Sequence, residues 1–232
     1  MLINRLPRSW QPTGYDPLDL GWDLYCEAAM ETVYVEDQDV KPVHDFSGNS
    51  RDIAWVSGIE AIYKTGIKNG QAAYLFSDPS VVYVTNTGKQ VSQPYHVFIV
   101  AYTDTNPDQQ VILDSYSAVT RFQLIGGNAP NLWKAAAGVQ SPGVAITDGW
   151  HILELLVNGV SSSWLLDGTS VWTGNLGTVN FSLARLANNA QGLGSGYENY
   201  ICLWGVHPGA IAAGDLTVYR NYLSTRYDIA VA

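Results

Sequence analysis

Charged side chains are scarce in this 232-residue chain, 14% of it against roughly 25% in an average soluble domain. What charge there is runs acidic, 12 Lys and Arg against 21 Asp and Glu, for a formal net charge of -9. So few cations exclude a phosphate-backbone binder, which needs Lys and Arg to displace counterions, and disfavour an acidic or membrane-surface partner. Cysteine is nearly absent: Cys26 and Cys202 offer neither a disulfide framework nor a Cys-based zinc site, and both are expected as buried, reduced thiols. No apolar run approaches the roughly 18 residues of a membrane span. The first ten residues carry two arginines but no apolar core or small-residue cleavage site, so a soluble protein made in the cytoplasm without a signal peptide is expected. Disorder is excluded from the other side, because 47% of the chain is hydrophobic, enough apolar surface to offset chain entropy.

What remains is a chain rich in Gly, Trp and Tyr, patterned as short strands between turns. Residues 33–35 (VYV), 72–76 (AAYLF), 81–84 (VVYV), 96–102 (HVFIVAY) and 111–113 (VIL) are β-branched and aromatic runs bounded by Gly, Asn, Asp or Pro, with 90–95 the loop entering one of them. The run at 150–157 (WHILELLV), the turn Asn158-Gly159, residues 161–166, the turn Asp167-Gly168 and residues 170–172 form a three-stranded meander, since Asn-Gly and Asp-Gly tolerate φ > 0. At the C-terminus Leu216, Tyr219, Tyr222, Leu223 and Tyr227 recur at three and four residues, one apolar stripe of a helix over 212–226. Residues 1–20, with Pro7, Pro12, Gly14 and Pro17 among apolar residues, read as an extended N-terminal arm, and 21–232 as a single domain. Many antiparallel strands closed by one helix make an all-β, two-sheet antiparallel sandwich with a short C-terminal α-helix.

Three segments carry a family resemblance. Residues 22–29 (WDLYCEAA) followed by 40–52 (VKPVHDFSGNSRD), residues 150–168 with their W-H and D-G ends, and residues 201–206 (ICLWGV) with 222–229 (YLSTRYDI) together resemble concanavalin A-like, laminin-G-like jelly-roll domains, in the right order over nearly the whole domain. Val43 stands where that family often has Trp. The resemblance implies a jelly roll of the kind found in bacteriophage virions. That means a non-enzymatic structural protein of the minor-tail type, serving assembly and adhesion to host-surface glycan. The alternatives are a capsid decoration protein or a free carbohydrate-binding lectin. Expected partners are other virion proteins met through the N-terminal arm, in an oligomeric particle, with the virion as location.

Glycoside hydrolysis needs two carboxylates flanking the scissile bond, and a strand would present them at alternate positions. Glu154 has no acidic residue at 152 or 156, and Glu60 and Glu198 are equally solitary, which leaves a glycoside hydrolase the weaker alternative. His44, His96, His151 and His207 are scattered, no Gly-x-Ser-x-Gly elbow is present, and Gly126-Gly127 lacks the Lys-Ser/Thr of a phosphate loop. The protein is read as no enzyme. Trp55, Trp133, Trp172 and Tyr197 lie in or beside Gly/Asn-rich connections and are the candidates for stacking on sugar rings, Trp133 foremost, against the plainer role of core packing. Asp37, Asp39, Asp45 and Asn49 are candidate calcium ligands, weighed against an acidic loop and an Asx-turn. No other cofactor is expected.

Overall fold

A computed structural model describes residues 15–77, 82–85, 90–104, 110–115, 122–126, 132–182, 184–186 and 197–232. Two antiparallel sheets and one helix make three layers. The inner sheet comprises β1 (Leu24–Glu27), β3 (Ile62–Lys68), β4 (Gln71–Leu75), β7 (Tyr95–Thr103), β12 (Gly149–Val157), β13 (Ser162–Leu166), β14 (Thr169–Gly174) and β17 (Tyr200–Pro208). Its order is β14-β13-β12-β7-β17-β4-β3, with β1 sharing the far side of β17. The outer sheet runs β11 (Val144–Ala145), β10 (Leu132–Ala137), β9 (Phe122–Gly126), β8 (Gln110–Ser115), β16 (Ala184–Leu186), β5 (Val82–Thr85) and β2 (Ile53–Ser57). A small pair, β6 (Gln90–Val91) with β15 (Phe181–Ser182), stands apart. The helix is α1 (Ala213–Tyr227). The sandwich with a C-terminal helix expected from the sequence is what the chain forms.

β7 shows why there are three layers. Tyr95, Val97, Ile99 and Ala101 point into the core between the sheets, while Phe98 and Val100 point the other way into a second core. A strand covered on both faces must be apolar at nearly every position, and this one is. The second core is closed by Tyr219, Tyr222, Leu223 and Tyr227 of α1 and by Trp22, Tyr25 and the partly buried Tyr15. Trp22 seats its ring over Gly205 of β17, where a Cβ would lie 3.0 Å from it, so glycine in mid-strand is a packing requirement here.

Polar groups fix the helix on the sheet. The guanidinium of Arg226 contacts Glu27, which is 0% exposed. The hydroxyls of Tyr227 and Tyr25 donate to the same carboxylate at 2.8 and 2.9 Å. Six residues earlier Arg220 forks onto Glu154 of β12 with two bonds of 2.7 Å, the planar match that makes such pairs strong. Asp228, at φ 49, ends α1 in the left-handed region. From there residues 229–232 run over the inner sheet: Lys68 Nζ of β3 donates to the Asp228 carbonyl at 3.1 Å, and the Ala232 amide donates at 3.1 Å to the carbonyl of Asp167 in the β13–β14 turn.

Locally the structure departs from the pattern of strands and turns expected above. Residues 33–35 are not a strand; Val33 and Val35 are exposed, and Tyr34 is anchored by its hydroxyl to Pro42 O and Lys41 N. Residues 90–91 are a strand rather than loop. The Asn158-Gly159 connection is a wider turn, with Asn158 at φ -151 leading into a 3-10 turn at Gly159–Ser161. The Asp167-Gly168 turn has both φ values positive, 50 and 77, as a two-residue hairpin needs. Within the expected arm, residues 15–20 lie on the domain: Asp16 caps the 3-10 turn Pro17–Leu20, and Tyr15 meets Tyr222 with ring centres 5.6 Å apart. Residues 1–14 lie outside the described residues.

Candidate binding surface

Beyond residues 229–232, the helix-side face of one end of the inner sheet carries partly buried side chains among the described residues. Register puts three aromatic residues there in one row. Trp150 pairs with Tyr102 across β12 and β7, and the pairing of Ile201 with Ala101 sets Tyr200 of β17 beside Tyr102. All three are half-buried. Trp150 meets Tyr102 edge-on, centroids 5.7 Å apart at 80°, and Tyr200 at 6.1 Å and 35°. The row exists because alternation along β7 sends residue 102 to the same face as Phe98 and Val100, past the reach of α1.

The backbone beneath the row is held at several points. Tyr197 is fully buried, and its hydroxyl sits between the main-chain carbonyls of Tyr102 and Tyr200, 3.0 Å from the latter. Thr103 Oγ1 donates to Thr147 O at 2.9 Å. His151 Nδ1 faces Asp167 Oδ2 at 2.7 Å and Nε2 faces Thr147 O at 3.0 Å, while Asp167 Oδ1 accepts from the Ile152 amide at 2.8 Å. Burial works against the charged imidazole, but the Asp167 hydrogen bond and charge outweigh it and raise the His151 pKa above its ordinary value. With acceptors facing both ring nitrogens, His151 ties the Asp167 turn to the loop leading to Trp150. Around the rim, Asn199 Nδ2 donates to Asp104 Oδ2 at 2.9 Å. Lys64 of β3 binds Asp37 and stands 3.8 Å from Glu36.

Of the four aromatic residues proposed from sequence, Trp133 is 1% exposed and Tyr197 0%. Neither ring offers a face to a ligand, so Trp133 is a core residue of β10 and Tyr197 supports the row from below. Trp55 is half-buried, with Lys41 Nζ 4.5 Å over its ring and Lys41 paired with Glu60. Trp172 is half-buried against Trp164 on the neighbouring strand. The residues that make the row, Tyr102, Trp150 and Tyr200, were not singled out from sequence. They are far apart in the chain, and only strand register joins them; the signal available was that 150 opens its strand and that 102 shares parity with 98 and 100.

The proposed calcium ligands do not converge. Asp45 is the knot of the turn after β1: its Oδ1 accepts from the amides of Tyr25 (3.0 Å) and Ser47 (2.9 Å), its Oδ2 from Ser47 Oγ (2.8 Å) and the Arg51 amide (3.0 Å). Asn49 turns its NH2 to the carbonyls of Trp22 and Asp23. Asp37 pairs with Lys64, and Asp39 lies exposed in a bridge to Ile62. Among the described residues no three His, Cys, Asp or Glu side chains are grouped as a metal would need, and the Asp45 turn performs the Asx role instead. Glu154 is buried under α1 as the partner of Arg220, Glu60 pairs with Lys41, and Glu198 is exposed. Burial raises the pKa of both thiols, Cys26 and Cys202.

No family model matches the chain, and no curated protein does. Solved structures do. Domain 4 of AbnA, a GH43 extracellular arabinanase from Geobacillus stearothermophilus in complex with arabinotriose, is similar with TM-score 0.59 and 14% identity over 78% of this chain and 98% of that one. The receptor binding domain of botulinum neurotoxin D has TM-score 0.59 and 9% identity over 88% of this chain and 53% of that one. A GH54 α-L-arabinofuranosidase soaked with a cyclic sulfate inhibitor has TM-score 0.62 and 11% identity over 82% and 51%. The chain thus spans about half the length of the last two. At these identities the likeness is one of fold, a β-sandwich.

Proposed function

We propose that this protein is a non-enzymatic, carbohydrate-binding adhesion module whose ligand surface is the row Tyr102, Trp150 and Tyr200. The observation that carries the reading is the row itself: three partly buried aromatic rings side by side on adjacent strands of the inner sheet. Aromatic rings of this kind join a large apolar face to a polar tip. The hydroxyls of Tyr102 and Tyr200 with the Asp104 and Asn199 side chains supply the few hydrogen-bonding groups that orient a ligand. The similar arabinanase domain in complex with arabinotriose supports the choice of a sugar. Against an enzyme stands the placement of Glu154 as an ion-paired strut under α1. Titration of the full chain with arabinotriose and lactose, followed by Trp fluorescence, is expected to show saturable binding that Trp150→Ala weakens at least tenfold. Unchanged binding in that variant would move the ligand elsewhere.

The setting implied by the sequence resemblance, the surface of a bacteriophage tail with capsid decoration as its variant, suits such a module. Its support is the ordered motif set and the charge-poor, aromatic-rich composition, which is typical of surfaces buried in assemblies. Host-glycan adhesion and an N-terminal contact with other virion proteins belong to that reading. Removal of residues 1–14 is expected to leave a folded domain that no longer enters particles; normal incorporation, read by mass spectrometry of purified particles, would overturn the virion role.

A further inference from the structure

We infer that β14 is a dimer edge: a second copy of this chain adds its own β14, antiparallel, and the two inner sheets become one. β14 ends the inner sheet, paired with β13 on one side and with no hydrogen-bonded partner on the other among the described residues. A strand so placed presents amides and carbonyls that another strand can complete. The other edges are guarded. β3 carries Lys64 and Lys68 and turns through Gly66 at φ 67, and Asp39 bridges to its Ile62. At the edge of β2, Val43 exchanges both backbone bonds with Ile53, at 3.0 and 2.8 Å, and β11 is two residues long. β14 runs from Thr169 to Gly174 without charge or proline, and Thr169, Ser170 and Thr173 are exposed. Val160, 75% exposed, stands in the adjoining 3-10 turn. Charge points to the occupant. Residues 155–182 hold one charged side chain, Asp167, whose carboxylate is taken up by His151 and the Ile152 amide. Two copies of a chain of net charge -9 repel on most approaches, but at this edge they meet without opposed charges. Antiparallel pairing about a two-fold is self-complementary, each donor finding an acceptor on the copy, and Thr, Val and Trp suit cross-strand contact. The register shift at Trp164/Leu165 twists β14 near its middle, which keeps the paired stretch short and the dimer weak, at the small end of specific interfaces. The two-fold stands perpendicular to the joined sheet, so both helix-side faces look the same way. On the carbohydrate-binding reading, the two aromatic rows then engage one surface with avidity.

Sedimentation velocity of the full chain over about 1 to 200 μM is expected to show a reversible monomer–dimer equilibrium in the micromolar range. Ser170→Lys with Thr173→Lys, at two exposed positions, sets like charges across the two-fold and should raise the dissociation constant about tenfold or more. Far-UV circular dichroism should not change. Val160→Lys, in the adjoining turn, should weaken the dimer too, and it keeps the test open if the double variant does not fold. Val35→Lys, at an exposed valine elsewhere, should leave the dissociation constant within about twofold. A monomer at every concentration overturns the dimer. So does a dimer that the β14 lysines leave intact, an equal weakening by Val35→Lys, or assembly beyond two copies. No sugar enters the measurement, so the dimer fails or holds independently of the carbohydrate site.

Discussion

The two faces of the inner sheet are held by different physics. Toward the outer sheet the contacts are apolar: Trp204, Val97, Ile99, Leu153 and Trp164 interlock without a charge among them. Toward α1 the layer mixes tyrosine rings with buried ions, Glu27 with Arg226 and Glu154 with Arg220. Apolar packing fixes how much surface is buried, and cavities are its weak point. Ion pairs fix which register the helix adopts, and their weak point is the unpaired survivor when one partner goes. The row of Tyr102, Trp150 and Tyr200 lies on the second face, partly buried.

The comparison breaks most sharply by mutation. Trp204→Ala should cost about 3–5 kcal/mol through the cavity it leaves, and no second substitution of a neighbour to a smaller residue should restore it. Arg226→Met should cost a similar 3–5 kcal/mol for a different reason, a carboxylate stranded at 0% exposure. Adding Glu27→Gln should then recover a good part of the loss, because the charge is gone while the amide oxygen accepts from one of the two tyrosine hydroxyls, bonded to different carboxylate oxygens in Glu27, and the amide NH2 donates to the other. Urea melts of the four variants check this. Failure of the double variant to recover would place the helix face under the same rule as the sandwich face.

A smaller effect separates the histidines by pH. His96, on the helix-side face, is pushed down to about 4 by burial, with the charges of His207 and Arg220 adding. Glu154 Oε1 lies 3.9 Å away, but its charge is already answered by Arg220. The neutral ring is also needed, because Nδ1 accepts the Ile211 amide at 3.0 Å. Below its ordinary pKa of 6.5 the unfolded chain takes up a proton that the folded chain refuses. Stability is therefore full above 6.5 and falls by about 3 kcal/mol as pH drops to the folded value. His151 has the opposite sign: its pKa is raised, so its contribution is full below the unfolded value and fades as pH rises through the folded one. Thermal melts from acid to neutral pH should flatten on the acid side in His96→Gln and on the neutral side in His151→Gln.

Much of this architecture was legible in the sequence and the aromatic row was not, for a physical reason. The β12–β13–β14 meander, the Asp167-Gly168 turn and α1 announce themselves through local signals: alternation, positive-φ residues, a stripe at helical spacing. The 33–35 run carries the same signal, yet its valines face solvent, because propensity does not say which neighbours a strand will find. Whether an aromatic in a turn-rich stretch is buried depends on what lies above it in another layer. Trp133 and Tyr197 therefore read like Trp55 and Trp172 until the fold is known. The row needs three strands to be in register, information that none of the segments holds alone.

The smallest expected effects sharpen the contrast between that row and the other half-exposed tryptophans. Trp150→Ala removes a face of the platform and should weaken arabinotriose or lactose binding at least tenfold, about 1.4 kcal/mol, while costing less stability than Trp204→Ala because the ring is only half-buried. Trp55 is exposed to a similar degree, but Lys41 already occupies one side of its ring at 4.5 Å and it stands on the outer sheet, away from the row. Trp55→Ala should leave sugar binding within about twofold, its cost falling on stability instead, because the ring packs against the core between the sheets. Isothermal titration of both variants with one sugar decides between a platform made by register and a general stickiness of aromatic rings: equal losses in the two would mean that the row has no special standing.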